Sequence, residues 1–371
     1  MITKRHGAVL GLVVAGALVL PACGTDDNSL PSGNTTGSAA SGVACAGKKQ
    51  LTGEGSSAQN NAMQEFVAAY NAACPDHDVA YNASGSGAGI KQFNAKQVDF
   101  AGSDSPLSKD KGEVDAAAQR CEGNPAWHLP MVFGPVAIAY NLPGVEGLTL
   151  DGGTIAKIFN GSITTWNDPA IAALNGDKTL PDRNIVVIYR SDESGTTDNF
   201  QKYLETASAG AWTQGGGKQF KGGVGEGRAK SQGVADAVKS TEGAVTYVEA
   251  SFAKNAGLGM ARIDNGSGPV ELTDATAGKA IAGAKIAGEG HDMVLDLDSL
   301  YGTQEPGAYP LVLVTYEIVC SKGYDAETAQ AVKSFLTVAA TSGQENLAKV
   351  GYVPLPQEFR AKLQDAIRAI S

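Results

Sequence analysis

The chain repeats one local pattern three times, in which a turn rich in glycine and serine leads into a segment with the spacing of an amphipathic helix. The turns cover 52–58, 83–89 and 189–197. Each places Ser or Thr where the helix is expected to begin and leaves free backbone N–H groups at the positive end of the helix dipole. One such turn indicates little, because Ser commonly caps helices. Three in one chain favour a binding site for an oxyanion.

Short apolar segments alternate with helical ones from about residue 46 onward, which is typical of an α/β protein with mostly parallel sheets flanked by helices. Strands are predicted at 78–81, 98–102, 134–140, 185–189, 244–248 and 311–319. A first helix is predicted over 57–73, and a last one along the apolar stripe of Phe359, Leu363 and Ile367.

Two charged residues in the third turn suit an anion. Arg190 can present two parallel N–H donors to an oxyanion, and Asp192 can hold its guanidinium in place. On the residues alone, an ordinary surface salt bridge is the alternative for this pair.

Asp104 lies in the polar segment that follows one predicted strand, and its carboxylate would repel an anion unless the ligand donates a proton. Phosphate near neutral pH carries such a proton, and sulfate does not. Two desolvated acceptors facing each other can discriminate between ligands by about 10⁴-fold. Asp104 therefore favours phosphate over sulfate.

Together these segments resemble the phosphate-binding proteins of the bacterial phosphate-specific ABC transporter, the PstS family. The resemblance runs from about Leu51 to the C-terminus. The segments that carry it are GEGSS (53–57), GSGAGIKQ (85–92), VDFAGSDSPLS (98–108), NLPG (141–144), RSDESGT (190–196) and GAVTYVE (243–249). FNGSITTWND (159–168) is also similar to the family, and we interpret Asn167 and Asp168 as caps of a helix that starts at Pro169.

The resemblance implies the type II periplasmic-binding-protein fold, with two α/β lobes, a cleft between them and hinge crossovers. It implies a first lobe of 46–137 with 312–371 and a second lobe of 138–311. The implied phosphate-binding residues are Ser57, Ala58 through its N–H, Ser86, Asp104, Arg190, Ser194, Gly195 and Thr196, with Asp192 supporting Arg190. Glu193 departs from the family's usual glycine, so that turn lacks glycine's backbone freedom.

The resemblance also implies a function: capture of inorganic phosphate and its delivery to an ABC transporter permease and ATPase complex, by a protein that acts as a monomer. A phosphate-binding sensor or adhesin that serves no permease is the alternative. Catalysis is not expected. Ser86 or Ser194 could act as a nucleophile only with a histidine base, and no Gly-x-Ser-x-Gly elbow is present.

The N-terminus has the pattern of an export signal. Lys4 and Arg5 precede an apolar run over 8–20, which is too short to span a membrane. Cleavage after residue 22 would expose Cys23, as in bacterial lipoproteins, whose first cysteine carries lipid such as palmitate. The polar segment 23–45 is then a flexible tether. The predicted location is the outer face of the bacterial cell membrane, held by the lipid.

Four cysteines remain beyond that anchor. An even number in an exported chain indicates two disulfides, for which three pairings are possible. We favour Cys74–Cys121 and Cys45–Cys320, because the second pair would tie the start of the folded part to a late strand.

Composition excludes several other classes of protein. The formal net charge of −10 over 371 residues argues against a nucleic-acid partner. The four histidines share no zinc-type spacing, so no metal site is predicted, and no GxxxxGK[ST] loop is present. No cofactor is expected.

Overall fold

The computed structural model describes residues 44–371, which belong to one compact unit. The predicted signal peptide, Cys23 and all but the last two residues of the predicted tether lie outside the described residues. No helix within 44–371 is long and apolar enough to cross a bilayer.

Strands and helices alternate along most of the chain. The strands are β1 (Gln50–Gly55), β2 (Asp78–Asn82), β3 (Phe100–Ser103), β4 (Ala126–Tyr140), β5 (Thr149–Asp151), β6 (Val186–Arg190), β7 (Glu226–Arg228), β8 (Ala244–Glu249), β9 (Gly259–Met260), β10 (Arg262–Asp264), β11 (Pro269–Val270), β12 (Lys285–Ile286), β13 (Leu295–Asp296) and β14 (Val312–Cys320). The helices are α1 (Asn60–Ala73), α2 (Ser86–Asn94), α3 (Glu113–Arg120), α4 (Gly152–Phe159), α5 (Pro169–Leu174), α6 (Gly195–Ala207), α7 (Lys230–Ser240), α8 (Ala250–Ala256), α9 (Asp274–Ile281), α10 (Asp298–Tyr301), α11 (Ala326–Ala339) and α12 (Gln357–Ala369).

One large sheet runs through the described part of the chain in the order β2-β1-β3-β14-β4-β8-β6-β7, with β9 beside β4. Pairing is parallel at both ends of the sheet, from β2 to β3 and from β8 to β7. It is antiparallel in the middle, where β14 and β4 lie. The prediction of mostly parallel pairing is therefore wrong for the centre, because β4 runs through both halves of the sheet and pairs in antiparallel fashion with β14 and β8.

The strand β4 is the element that both halves share. Residues 126–135 pair with β14, and residues 136–140 pair with β8. Every residue from His128 to Tyr140 is buried, as expected of a central strand covered on both faces.

The buried apolar residues form two large clusters, one on each half of the sheet. Phe66, Tyr70 and Phe335 belong to the cluster beside β1 and β3. Phe159 and Trp166 belong to the cluster beside β6 and β8. Four buried residues of the segment 277–293 pack in the first cluster, namely Ala277, Ala280, Ile281 and Met293. The division into lobes 46–137 with 312–371 and 138–311 stays a prediction.

Two helix starts confirm the capping predicted from the sequence. Ser194 accepts a backbone N–H from the first turn of α6, and Asp168 does the same for α5, whose first residue is Pro169. The first helix begins three residues later than predicted. Its N-cap is Gln59, which makes no capping bond, and so Ser57 is not a cap.

The disulfides are Cys45–Cys74 and Cys121–Cys320, so the favoured pairing is wrong. The strand register explains the difference. Because β2 pairs in parallel with β1, α1 must return the chain to the start of β1, which brings residue 74 beside residue 45. Cys121 follows α3 and lies beside the end of β14, where residue 320 pairs with the start of β4.

Loss of the second disulfide should destabilise the protein more than loss of the first. The two bonds close chain segments of 199 and 29 residues. Chain entropy predicts losses of about 5 and about 4 kcal/mol in the free energy of unfolding. Denaturant unfolding of Cys121→Ala/Cys320→Ala and of Cys45→Ala/Cys74→Ala measures both. A larger loss of stability in Cys45→Ala/Cys74→Ala than in Cys121→Ala/Cys320→Ala would contradict the expectation.

Candidate functional site

Polar residues from both halves of the sheet meet where parallel strands end. Ser56 follows β1, Asp104 follows β3, Arg190 ends β6 and Glu249 ends β8. Ser231 follows β7 at the start of α7. Ligands of α/β proteins commonly bind at the carboxyl ends of strands, beside helix N-termini.

The site residues that come from the half of the sheet with β1 and β3, namely Ser56, Ser57, Ser86 and Asp104, form what we call the first wall. Asp104 lies at its centre and is almost fully buried. Its Oδ1 accepts hydrogen bonds from the hydroxyls of Ser56 and Thr315, both at 2.6 Å. Its Oδ2 accepts one from the Ser86 hydroxyl at 3.1 Å. Thr315 is a polar residue in the middle of the buried strand β14, and so three separate segments of the chain hold this carboxylate.

Burial raises the pKa of Asp104 from 3.8 to about 6, although the hydrogen bonds from Ser56 and Thr315 act in the opposite direction. Asp104 is therefore mostly ionised at neutral pH. A buried carboxylate of this kind is an acceptor that can receive a proton from a ligand.

The site residues that come from the half with β6 and β8 form the second wall: Arg190, Asp192, Ser194, Gly195, Thr196, Ser231 and Glu249. Arg190 lies at its centre, and its side chain is 2% exposed. Its Nε and Nη2 donate to the two carboxylate oxygens of Asp192 at 2.8 and 2.5 Å. Burial lowers the pKa of Arg190, but the hydrogen bonds and charge of Asp192 outweigh it and raise that pKa above its usual value. The guanidinium is thus fixed and charged. Its Nη1 points to the hydroxyl of Ser231 at 3.1 Å.

The two walls touch at several places, and two of these contacts involve the predicted serines Ser57 and Ser86. The Ser57 hydroxyl lies 3.0 Å from that of Ser231 and also accepts the Ser231 N–H. The Ser86 hydroxyl accepts the N–H of Gly195 at 3.2 Å. A Cβ at position 195 would lie 2.6 Å from the Ser86 hydroxyl and from the Asp104 Cβ, so only glycine permits this approach.

The start of α6 supplies further donors to this interface. Thr196 is buried and donates its hydroxyl to Oε1 of Glu249 at 2.5 Å, while Oε2 of that glutamate has no hydrogen-bond partner. The Ser194 hydroxyl accepts the N–H of Thr197. No histidine bonds to Ser86 or Ser194 within the described residues, since His128 instead bonds to Leu107 and Asp292.

The structure brings together all the residues that the sequence singled out. Ser57, Ala58, Ser86, Asp104, Arg190, Ser194, Gly195 and Thr196 are buried around this one interface, with Asp192 behind Arg190. The N–H of Ala58 bonds to the hydroxyl of Ser56 at 3.1 Å.

Four residues of the interface were missed. They are Ser56, Ser231, Glu249 and Thr315. A signal existed for three of them, because Ser56 lies in the first glycine-rich turn, Thr315 interrupts an apolar strand and Glu249 ends one. Ser231 gave none. Among residues 44–371, no cluster of three or more metal-ligating side chains is present.

Comparisons with known proteins show the family of the chain. Residues 36–342 match the family model described as a PBP superfamily domain. Phosphate-binding protein PstS 3 of Mycobacterium tuberculosis is 55% identical over 370 residues, or 99% of each chain. Phosphate-binding protein PstS of Pasteurella multocida is 34% identical over 77% of this chain and 80% of its own.

Among solved structures, a phosphate-binding protein from Stenotrophomonas maltophilia superposes with a TM-score of 0.64 at 20% identity. The match covers 86% of this chain and 94% of that one. The likeness shows the fold and confirms the predicted α/β periplasmic-binding-protein class. With the sequence matches it leads to one conclusion: the chain belongs to the PstS family of phosphate-binding proteins, within the PBP superfamily.

Proposed function

We propose that this protein captures inorganic phosphate between the two walls and delivers it to an ABC permease. The observation that carries the proposal is that a buried carboxylate acceptor, Asp104, and a buried guanidinium, Arg190, lie on opposite walls of one polar interface, which the Ser57–Ser231 and Ser86–Gly195 contacts join. This combination suits an anion that also carries a proton, which describes phosphate near neutral pH.

Each predicted site residue has a role in this proposal. Arg190 supplies charge and N–H donors to phosphate oxygens while Asp192 holds it. Asp104 accepts the phosphate proton. The remaining donors are the hydroxyls of Ser57, Ser86, Ser194 and Thr196 and the backbone N–H groups of Ala58 and Gly195. The Ser57–Ser231 and Ser86–Gly195 contacts support the proposal, because they are bonds between walls that a ligand could replace with its own oxygens.

Closure of one half of the protein on the other would follow ligand capture. The division into lobes 46–137 with 312–371 and 138–311 is part of this proposal. The strands β4 and β14 support it, because they join the two halves and can serve as a hinge.

The partners follow from the family. We propose a permease and ATPase complex as the recipient of phosphate, with the protein acting as a monomer and catalysing no reaction. The relatives reported above are named as binding proteins, and the absence of a histidine beside Ser86 and Ser194 in the described residues supports this view.

Calorimetric titration with phosphate and then sulfate at neutral pH tests the proposed function. The chain should begin at residue 24, since Cys45 forms a disulfide and must be kept. We expect one phosphate per chain and no detectable sulfate binding. Equal binding of both anions would overturn the role of Asp104, and no binding of either would overturn the function.

We also propose that lipid on Cys23 holds the protein at the outer face of the cell membrane. Changing Cys23 to Ala removes the only thiol that the export signal places at the cleavage point. We expect the variant to move from the membrane fraction to the soluble fraction on fractionation of cells. A variant that stays with the membranes would contradict the anchor. Ser29→Ala, in the predicted tether outside the signal, is the control and should remain membrane-bound.

A further inference from the structure

Glu317 is a buried carboxyl group that the site described above does not use. It lies in the middle of β14, two residues from Thr315 and on the same face of the sheet, and it is 1% exposed. Neither of its carboxyl oxygens has a hydrogen-bond partner. An ionised carboxylate without partners is costly at such a position, whereas a neutral carboxylic acid is far less so.

Gln59 is the neighbour that such an acid can satisfy. Its Oε1 is also buried without a partner, and its side chain lies close enough to the carboxyl of Glu317 to lower the pKa of that carboxyl, an effect that burial outweighs. If Glu317 is ionised, it cannot donate to Gln59 Oε1, and that oxygen stays without a partner. If it carries a proton, its O–H can donate to Gln59 Oε1, and both groups gain a bond.

A chain of hydrogen bonds leads from Gln59 to the phosphate site. Gln59 Nε2 donates to the hydroxyl of Tyr81 at 3.0 Å, and that hydroxyl donates to the carbonyl of Ser56 at 2.9 Å. The Ser56 hydroxyl in turn donates to Asp104. Glu317 thus stands at the far end of a relay that fixes the turn after β1.

We propose that Glu317 is a positioning residue, a buried carboxylic acid whose proton completes a relay through Gln59 and Tyr81 that holds Ser56 against Asp104. The inference rests on the proposed function for its link to phosphate affinity. The presence of the proton itself does not depend on any ligand.

The surroundings of Glu317 support a retained proton. Burial raises its pKa from 4.5 to about 8; the side chain of Gln59 acts in the opposite direction, and the negative charge of Asp104 adds to the rise. Tyr81, from β2, is the other titratable group that faces it, and burial raises the pKa of Tyr81 well above 10. The cross-strand partners of Glu317 are Gly102 on β3 and Leu129 on β4, which carry no charge.

The first test compares the unfolding of the wild type and Glu317→Gln without phosphate from pH 5 to pH 9, using the full chain. An unfolded glutamate releases its proton near pH 4.3, while the folded wild type keeps it up to about pH 8. Raising the pH between these values therefore favours unfolding through Glu317 in the wild type and not in the variant, while the raised pKa of Asp104 acts on both proteins alike. We expect the unfolding constant of the wild type to rise relative to that of Glu317→Gln by about tenfold per pH unit, then to level off above pH 8.

The second test measures phosphate dissociation constants at pH 7.5 and 9.5. We expect the wild type to lose about tenfold in affinity over this interval, because Glu317 ionises and the relay opens. Glu317→Gln should lose less than about threefold, since an amide cannot ionise. Ionisation of phosphate affects both proteins equally. Glu205→Gln, an exposed change on α6, is the control and should follow the wild type.

Tyr81→Phe separates the relay from a direct charge effect, because it removes the hydroxyl that joins Gln59 to Ser56. We expect its phosphate affinity to depend less on pH than that of the wild type. The relay would be contradicted if Tyr81→Phe lost the full tenfold in phosphate affinity between pH 7.5 and 9.5. It would also be contradicted if the phosphate affinities of the wild type and Glu317→Gln depended on pH in the same way. If the difference in unfolding between the wild type and Glu317→Gln does not change with pH, then folded Glu317 does not keep its proton. A wild type that binds no phosphate at either pH, but shows the expected unfolding profile, would overturn the proposed function. The inference that Glu317 is protonated in the folded protein would stand.

Discussion

Phosphate binding should weaken by a factor of about 100 or more when Arg190 is changed to Ala, because truncating one partner of a buried, hydrogen-bonded charge pair costs roughly 2–5 kcal/mol. The change removes the only guanidinium that the structure places at the interface of the two walls within residues 44–371. It also leaves Asp192 without the hydrogen bonds and positive charge that lower its pKa. Calorimetric titration with phosphate at neutral pH measures the effect.

Two further variants give this result its meaning. Arg183→Ala is the matched control, since Arg183 forms a half-exposed ion pair with Glu242, and such pairs contribute about 1 kcal/mol or less. Its dissociation constant should equal that of the wild type. Arg190→Lys keeps the charge and loses the planar fork, so we expect an intermediate affinity. A folded Arg190→Ala variant that binds as tightly as the wild type would remove Arg190 from the site.

Changing Asp104 to Asn should reduce the preference for phosphate over sulfate by about 100-fold or more, because an amide N–H can donate to sulfate where a carboxylate meets it acceptor to acceptor. We expect the variant to bind sulfate more tightly and phosphate more weakly than the wild type, and both changes should contribute to the lower ratio. Parallel titrations with the two anions measure the ratio. An unchanged ratio in a folded variant would show that Asp104 does not detect the ligand proton.

The pH dependence of the wild type provides an independent check on Asp104. Its pKa is about 6, so the carboxyl gains a proton as the pH falls below that value. A protonated Asp104 becomes a donor, and sulfate binding should therefore improve between pH 7 and pH 5. The Asn variant does not titrate and should show a much smaller change over this range.

Most of the site could be predicted because its residues lie in local sequence patterns. Ser86, Asp104, Arg190 and Ser194 each belong to a turn after a strand, and the sheet brings the ends of those strands together. The turn before α1 was predicted less well. The strand β1 was not predicted, because Gly53 and Gly55 lower the strand propensity of this segment. The structure needs glycine at both positions, since a Cβ there would clash with Phe100 or Gly102 of β3.

The residues that were missed depend on tertiary contacts. Ser231 enters the site only because β7 pairs with β6, at the far edge of the sheet. The disulfides were mispaired for a similar reason, since residue 320 meets residue 121 through the register of β14 against β4. No spacing along the chain encodes either contact. Glu317 could have drawn attention as a charged residue inside an apolar strand, but its partners are visible only in three dimensions.

The position of β14 between β3 and β4 also determines when the chain can fold. Thr315 contacts Asp104 across 211 residues of sequence, and the first half of the sheet is incomplete until that strand has been synthesised. Such distant pairing slows folding. The N-terminal pattern predicts export, and on that basis we expect the first half of the sheet to stay unfolded until β14 has been synthesised, which would favour secretion over premature folding inside the cell.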